Sequence, residues 1–157
     1  MVGFFSDGKM AWMGLLVALL SGALMSIQGV FNTRVTDTTG VWTANTFVQF
    51  SAFVVCMCAW FLKERHSFMM LWQVQPKYML AGGVIGAFIT LTVIMSMAQL
   101  GPAKAVLLIV ISQLLVAYLI SLFGLFGTEK EPFLWRKFIG IAISIAGFIL
   151  FQWEKNG

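Results

Sequence analysis

Five stretches of the chain, each 16 to 23 residues long, are mostly apolar and contain no charged side chain. A helix needs about 20 such residues to cross the hydrocarbon core of a bilayer. The strands of an outer-membrane barrel would alternate in polarity over only about 10 residues. The sequence therefore predicts an all-α integral membrane protein, a single domain over residues 1–157. Its five transmembrane helices are expected at residues 10–31, 41–62, 78–100, 105–126 and 138–153.

The composition excludes the other common classes of protein. The chain is 60% apolar and 10% charged, whereas a soluble domain is about 45–50% apolar and about 25% charged. A disordered chain would be far more polar, and two cysteines do not make a disulfide framework. No basic run with interleaved aromatic residues indicates a nucleic-acid partner. All six tryptophans lie at or between the ends of the apolar stretches, in the headgroup region that indole rings prefer.

Two segments need a separate interpretation. The first apolar stretch follows Lys9 and contains small residues at 21–23, as a signal peptide does. It stays apolar well beyond a signal core of about 7–15 residues, so we interpret it as a membrane span. Residues 67–75 are expected to form a short interfacial helix or a plain loop. In the helical alternative Ser67 is the N-cap, and the lipid-facing side chains are Phe68, Met69, Leu71 and Trp72.

The basic residues predict the orientation. With five spans the termini lie on opposite sides of the membrane. Seven of the ten Lys and Arg residues fall on the N-terminal side and three on the other: Arg34, Lys104 and Lys155. By the positive-inside rule the N-terminus is cytoplasmic and the C-terminus is outside.

Amides are the strongest polar groups inside the predicted spans. The first span carries two of them in one helical stripe, formed by Ser21, Met25, Gln28 and Asn32. The second carries two more in the stripe formed by Asn45, Gln49, Ala52 and Cys56, and the fourth carries Gln113. An unpaired amide in hydrocarbon costs several kcal/mol, so each one either joins helices by hydrogen bonds or lines a polar cavity. We favour a shared cavity for the set and expect it to bind substrate. The candidate substrate-binding residues are Gln28, Asn32, Asn45, Gln49, Thr90 and Gln113.

Small residues recur at helical spacing in the fifth span. Gly140, Ser144 and Gly147 lie four and then three residues apart, a spacing that allows two helices to approach closely. They predict either a dimer interface or packing within one chain. Arg34 and Lys104 are expected to reach the lipid headgroups, and Arg34 can pair with Asp37 at i+3.

The residues of catalytic and metal sites are missing from the spans. Cys56 and Cys58 are two residues apart in a helix, so they face different ways, and His66 lies in a connection. We therefore expect no metal site, no cofactor and no enzyme activity. No span contains the buried carboxylate with which small efflux proteins couple to protons.

Four segments carry a family resemblance: residues 28–34 (QGVFNTR), 81–115, 123–127 (FGLFG) and 136–150 (RKFIGIAISIAGFIL). Together they resemble the half-size, YdcZ-like branch of the drug/metabolite transporter superfamily, over nearly the whole chain. The resemblance implies a bacterial plasma-membrane protein with five helices, half of an inverted-repeat transporter. It also implies antiparallel pairing with a second copy or a related chain. The family's Asn, Arg and fourth-span Gln match Asn32, Arg34 and Gln113; Ser112, Pro102 and Lys104 depart from its pattern.

The leading hypothesis is a transporter subunit. An antiparallel dimer would move a small polar metabolite by alternating access. One alternative is a non-transporting membrane subunit whose amides only join helices. Another is a small multidrug exporter, which the missing carboxylate disfavours. Lipid, the second chain and the metabolite are the expected partners.

Overall fold

The computed structural model describes residues 8–153, which form five α-helices and no β-strand. All five helices are long and apolar enough to cross a membrane. This confirms the prediction of an all-α membrane protein with five spans. The helices are α1 (Gly8–Thr39), α2 (Val41–Lys63), α3 (Gly82–Leu100), α4 (Pro102–Phe123) and α5 (Trp135–Gln152).

Helix α1 continues eight residues past the predicted end at residue 31. The continuation is polar, and its threonines bond back to the helix itself. Thr33 Oγ1 donates to the carbonyl of Gly29 at 2.8 Å, and Thr36 Oγ1 donates to that of Asn32 at 2.9 Å. These hydroxyls are thereby satisfied within the helix, although such bonds do not themselves favour helix formation.

The extra length carries α1 out of the hydrocarbon. Its 32 residues span roughly 48 Å, more than the core thickness of about 30 Å. Arg34 and Asp37 lie on this polar extension and form the expected ion pair, with Nη1 and Oδ2 3.8 Å apart. Lys155, one of the basic residues used for orientation, lies outside the described residues.

Helix α4 begins three residues before the predicted start and ends three residues before the predicted end. Pro102 occupies its first turn, where a missing N–H costs nothing. Gly124, at φ +64°, ends the helix in the left-handed conformation. A short 3₁₀ helix, Lys77–Ala81, precedes α3, so α3 begins four residues later than predicted. Helix α5 begins three residues early, and the remaining ends differ by two residues at most.

Helices α2 and α4 begin with the same backbone arrangement. Gly40 and Gly101 precede α2 and α4 with φ of +84° and +79°. In each case the carbonyl of the glycine accepts from the N–H of the fourth residue on, Ala44 or Ala105, and that alanine is fully buried. Positive φ is inexpensive only for glycine, so these two positions require it.

The connection between α2 and α3 contains the expected short helix. It is a 3₁₀ helix, Phe68–Gln73, whose N-cap is Ser67: the Ser67 side chain accepts from the Met69 N–H at 3.2 Å. Trp60 Nε1 donates to the carbonyl of His66 at 3.0 Å, and its ring lies 4.6 Å from that of Phe68. The connection is therefore ordered, and its apolar side chains are exposed, as a position at the lipid surface requires.

The chain divides into two compact units, the first ending at Gln99 and the second beginning at Leu100. In the first unit Ile94 is 1% exposed and lies at the centre of the core. A Cβ at Gly29 would lie 2.6 Å from Sδ of Met97, so the Met97 side chain of α3 reaches the backbone of α1 there. The buried side chains of the second unit are Ala105, Tyr118 and Ile141.

We expect Ile94→Ala to destabilise the protein by about 1–3 kcal/mol, because it leaves a cavity in the first unit without a large solvent-transfer term. The matched control is Ile89→Ala, which removes the same atoms from an exposed position on the same helix. Unfolding of both variants in mixed micelles measures the difference. Equal losses would contradict the placement of the core.

Candidate functional site

Helices α2 and α3 are joined by side-chain hydrogen bonds at membrane depth. Gln49 Nε2 donates to Thr90 Oγ1 at 3.1 Å and lies 3.5 Å from the carbonyl oxygen of Gly86. Thr90 Oγ1 in turn donates to that carbonyl at 3.1 Å. One amide therefore bridges a hydroxyl and a backbone carbonyl of the facing helix. In hydrocarbon such bonds stabilise helix packing by about 0.6–1.7 kcal/mol.

Asn45 adds a second bond to the same contact. Its Nδ2 donates to the carbonyl of Ala87 at 3.3 Å, and the residue is 6% exposed. The bond fixes which end of the amide faces α3, because a carbonyl can only accept. The other end, Oδ1, is buried and has no hydrogen-bond partner within the described residues. We call Asn45, Gln49 and Thr90 the amide cluster.

Gln28 and Asn32 lie elsewhere, in a cleft of about 550 Å³ between α1 and α2. Asn32 is 8% exposed, yet its side chain makes no hydrogen bond with residues 8–153. Its amide atoms can be reached from the cleft and are not sealed within the fold, so they are open to a donor and an acceptor from a ligand. The α1–α2 cleft is lined by Gln28, Phe31, Asn32, Val35, Phe47, Val48, Ser51, Ala52, Val55 and Cys56.

A second cleft, of about 570 Å³, follows the same face of α1 and shares Gln28, Phe31 and Asn32 with the first. We call it the α1 cleft. It contains the predicted stripe Ser21, Met25, Gln28 and Asn32, and its remaining lining residues are Leu20, Leu24, Ile27 and Phe31. The two clefts together follow α1 from Leu20 to Val35, roughly 22 Å along the helix axis. A groove of that length covers much of the hydrocarbon thickness, and its lining is mostly apolar with a few amides and hydroxyls.

The structure thus separates the predicted site residues into three groups. Asn45, Gln49 and Thr90 make contacts between α2 and α3, and Gln28 and Asn32 line the clefts. Gln113 is exposed on α4 in the second unit. The stripe on α2 divides, because Asn45 and Gln49 face α3 while Ala52 and Cys56 reach the α1–α2 cleft.

Sequence reasoning missed Phe31, Phe47 and Ser51 as lining residues. Ser51 lies six residues after Asn45, off the stripe of positions 45, 49, 52 and 56, so helical spacing from the amides did not select it. A search for polar residues on every face of the second span, and not only on the amide stripe, would have found Ser51. Its hydroxyl donates to the carbonyl of Val48 at 3.0 Å.

The small residues of α5 do not serve close packing within the chain. A Cβ placed on Gly140 or on Gly147 would meet no atom within 4 Å. Gly140 and Ser144 instead line a groove of about 510 Å³ between α4 and α5. The alternative of in-chain packing therefore finds no support at these two glycines, and a dimer contact stays a prediction.

The family of the chain follows from comparison with known proteins. The family model described as "Putative inner membrane exporter, YdcZ" matches residues 13–150. The chain belongs to this YdcZ family. It is therefore a multi-pass transporter of the inner membrane that lies in the bilayer, and its family is a class of transporters, not of enzymes. No curated protein and no solved structure matches the chain.

Removing the hydroxyl of Thr90 tests the amide cluster. We expect Thr90→Val to destabilise this YdcZ-family chain by about 0.5–1.5 kcal/mol, because Gln49 loses an acceptor without a change of shape. The control is Thr92→Val, since Thr92 bonds only to carbonyls of its own helix. Unfolding in mixed micelles measures both variants, and an equal effect would show that the hydrogen bond to Gln49 contributes nothing.

The two cysteines offer a natural pair for testing water access to the clefts. Cys56 lines the α1–α2 cleft, whereas Cys58 is exposed on α2 outside it. A polar, membrane-impermeant methanethiosulfonate reacts with thiolate, which forms only where water reaches. We expect Cys58→Ser, which keeps Cys56, to be modified at least about tenfold faster than Cys56→Ser. Equal rates would mean that the cleft is no more hydrated than the lipid-facing side.

Proposed function

We propose that the chain exports a small, uncharged polar metabolite by alternating access, as one half of an antiparallel pair. The observation that carries this proposal is Asn32: the residue is only 8% exposed, its amide makes no hydrogen bond within the described residues, and that amide can be reached from a cleft that also contains Gln28. The family supports transport, and its description supports the export direction. We propose that the amide of Asn32 contacts the substrate.

The lining chemistry indicates the substrate class. Each amide offers two donors and an acceptor, which suits hydroxyl or amide groups on the substrate. Phe31 and Phe47 lie in the same cleft and can pack against its apolar face. No charged residue lines either cleft among the described residues. A fully charged substrate would lose its hydration there without compensation, so we propose a neutral one.

The second half of the pathway is proposed to come from another chain. Five helices are half of a typical inverted-repeat transporter, in which the site lies between the two repeats. A second copy or a homologue of opposite orientation would supply it, with Gly140, Ser144 and Gly147 as the contact. The N-terminus of this chain would be cytoplasmic and its C-terminus outside.

In this proposal the predicted site residues have different roles. Gln28 and Asn32 bind substrate directly in the clefts. Gln113 binds it as well, from the exposed face of α4. The amide cluster holds α2 against α3 and so positions the wall of the α1–α2 cleft that faces Asn32.

Flux in proteoliposomes tests the direct contacts. A panel of labelled neutral sugars, polyols, amides and nucleosides identifies the transported compound. We expect Asn32→Leu and Gln28→Leu to reduce its flux about tenfold or more, since each loses a hydrogen-bonding group. The control is Gln152→Leu, which removes an exposed amide near the end of α5. A loss in the control as large as in Asn32→Leu would contradict the site.

The place of Gln113 is tested in the same assay. We expect Gln113→Leu to lower flux while crosslinking shows that the dimer persists. Intact flux with an intact dimer would remove Gln113 from the site and leave the clefts along α1 as its location. If Asn32→Leu also had no effect on flux, the buried amides would only join helices.

A further inference from the structure

The second unit contains a groove that is separate from the proposed substrate clefts, although Gly140 and Ser144 of its lining also belong to the proposed contact with a second chain. It has a volume of about 510 Å³ and runs between α4 and α5. One end is lined by polar side chains and the other by apolar or small ones. Tyr118, Ser121 and Lys137 provide polar groups towards the connection that joins the two helices. The rest of the lining is apolar or small: Leu114, Ala117, Gly140, Ile141 and Ser144.

The inner part of the α4–α5 groove is shaped for a flexible apolar chain. Gly140 leaves its floor open, because a Cβ there would meet no atom within 4 Å. The hydroxyl of Ser144 is turned back on its own helix and donates to the Gly140 carbonyl at 2.9 Å. The inner groove thus has shape but few free polar groups, as a bound hydrocarbon chain requires.

The outer end of the groove is cationic and ordered. The Lys137 ammonium lies 5.8 Å from the centroid of the Tyr118 ring and pairs with Glu131. The Glu131 N–H donates to the Ser121 carbonyl at 2.9 Å, and the Leu134 N–H donates to Tyr118 Oη at 3.4 Å. These bonds hold the lysine at the mouth of the groove.

Two further features favour an anion at that mouth. Lys137 is 42% exposed, and an ammonium has three donors, so a phosphate oxygen can bind beside the Glu131 carboxylate. The first turn of α5 contains no acidic residue and no side-chain cap, which leaves the positive end of its dipole unopposed. Lys130 and Arg136, both exposed, lie in or next to the same connection, and with Lys137 they outnumber Glu129 and Glu131 there by three to two.

We propose that the α4–α5 groove binds one anionic phospholipid, with the phosphate on Lys137 and an acyl chain between α4 and α5. A phosphodiester attached to a hydrocarbon chain matches a cationic mouth above an apolar groove. The seven-to-three distribution of basic residues places this mouth on the cytoplasmic side, where anionic lipid attracts basic residues. The site is independent of the proposed substrate clefts.

Lipid titration with native mass spectrometry tests the headgroup contact. The full chain in detergent is titrated with dioleoyl phosphatidylglycerol and, separately, with dioleoyl phosphatidylcholine. We expect one tightly bound phosphatidylglycerol per chain, and Lys137→Gln to weaken it about fivefold, the effect of one basic residue near an anionic surface. Lys77→Gln is the matched control, because Lys77 also lies near an aromatic ring, 5.7 Å from the Trp72 centroid, but outside the groove. We expect Lys77→Gln to leave affinity unchanged.

Filling the groove tests the acyl contact. We expect Gly140→Leu to abolish the tight phosphatidylglycerol site, whereas Gly147→Leu, at an equally open glycine outside the lining, retains it. Soluble glycerol phosphate at matched concentration should not displace the lipid. Displacement would assign the mouth to free phosphate compounds and overturn the proposal.

Three other results would also overturn it. They are equal affinity for the two lipids, an equal loss in the two lysine variants, or dissociation of a dimer by Gly140→Leu with lipid binding intact. The last would make the groove a contact between chains. Asn32→Leu should bind lipid normally, so failure of this site and failure of the transport proposal are distinguishable.

Discussion

A polar side chain in hydrocarbon has no water to bind, so it needs a hydrogen-bond partner in the protein or in a ligand. The amides of this chain differ in how they meet this requirement. Gln49 satisfies it with acceptors on α3, and Asn45 does so only through Nδ2, because its Oδ1 has no partner within the described residues. The Asn32 side chain makes no hydrogen bond within the described residues, although the residue is nearly as buried as Asn45. Two similar residues at similar burial thus have different chemistry: Asn45 donates to the facing helix, and the amide of Asn32 is available in the cleft.

One face of α1 contacts α3 at Gly29, while a neighbouring face lines the clefts. Gly29 lets α1 approach Met97 of α3 closely, while the adjacent Gln28 lies in the clefts with Asn32. A larger residue at position 29 would compete with the Met97 side chain for the same space. The contact therefore fixes the rotation of α1 about its axis, and with it the direction in which the two amides point.

The five spans and the chain's all-α character could be predicted from the sequence, because charge exclusion and the need for about 20 apolar residues leave few alternatives. The end of α1 could not, since hydropathy falls after Phe31 while the helix continues to Thr39. The stripe on α1 correctly grouped Ser21, Met25, Gln28 and Asn32. The stripe on α2 was divided, because one helix faces two neighbours and periodicity alone does not say where the boundary between them falls.

The shared hydrogen bond of Gln49 has a consequence for movement between helices. Its Nε2 lies near two acceptors at once, Thr90 Oγ1 at 3.1 Å and the Gly86 carbonyl at 3.5 Å. Because these acceptors are adjacent, the amide can loosen from one while it tightens on the other. For a small slide of α2 along α3 Gln49 therefore keeps an acceptor within reach, whereas the single bond from Asn45 to the Ala87 carbonyl would have to break. Of the two amides that join these helices, Asn45 is thus the one that fixes their register, and Gln49 tolerates a change of register.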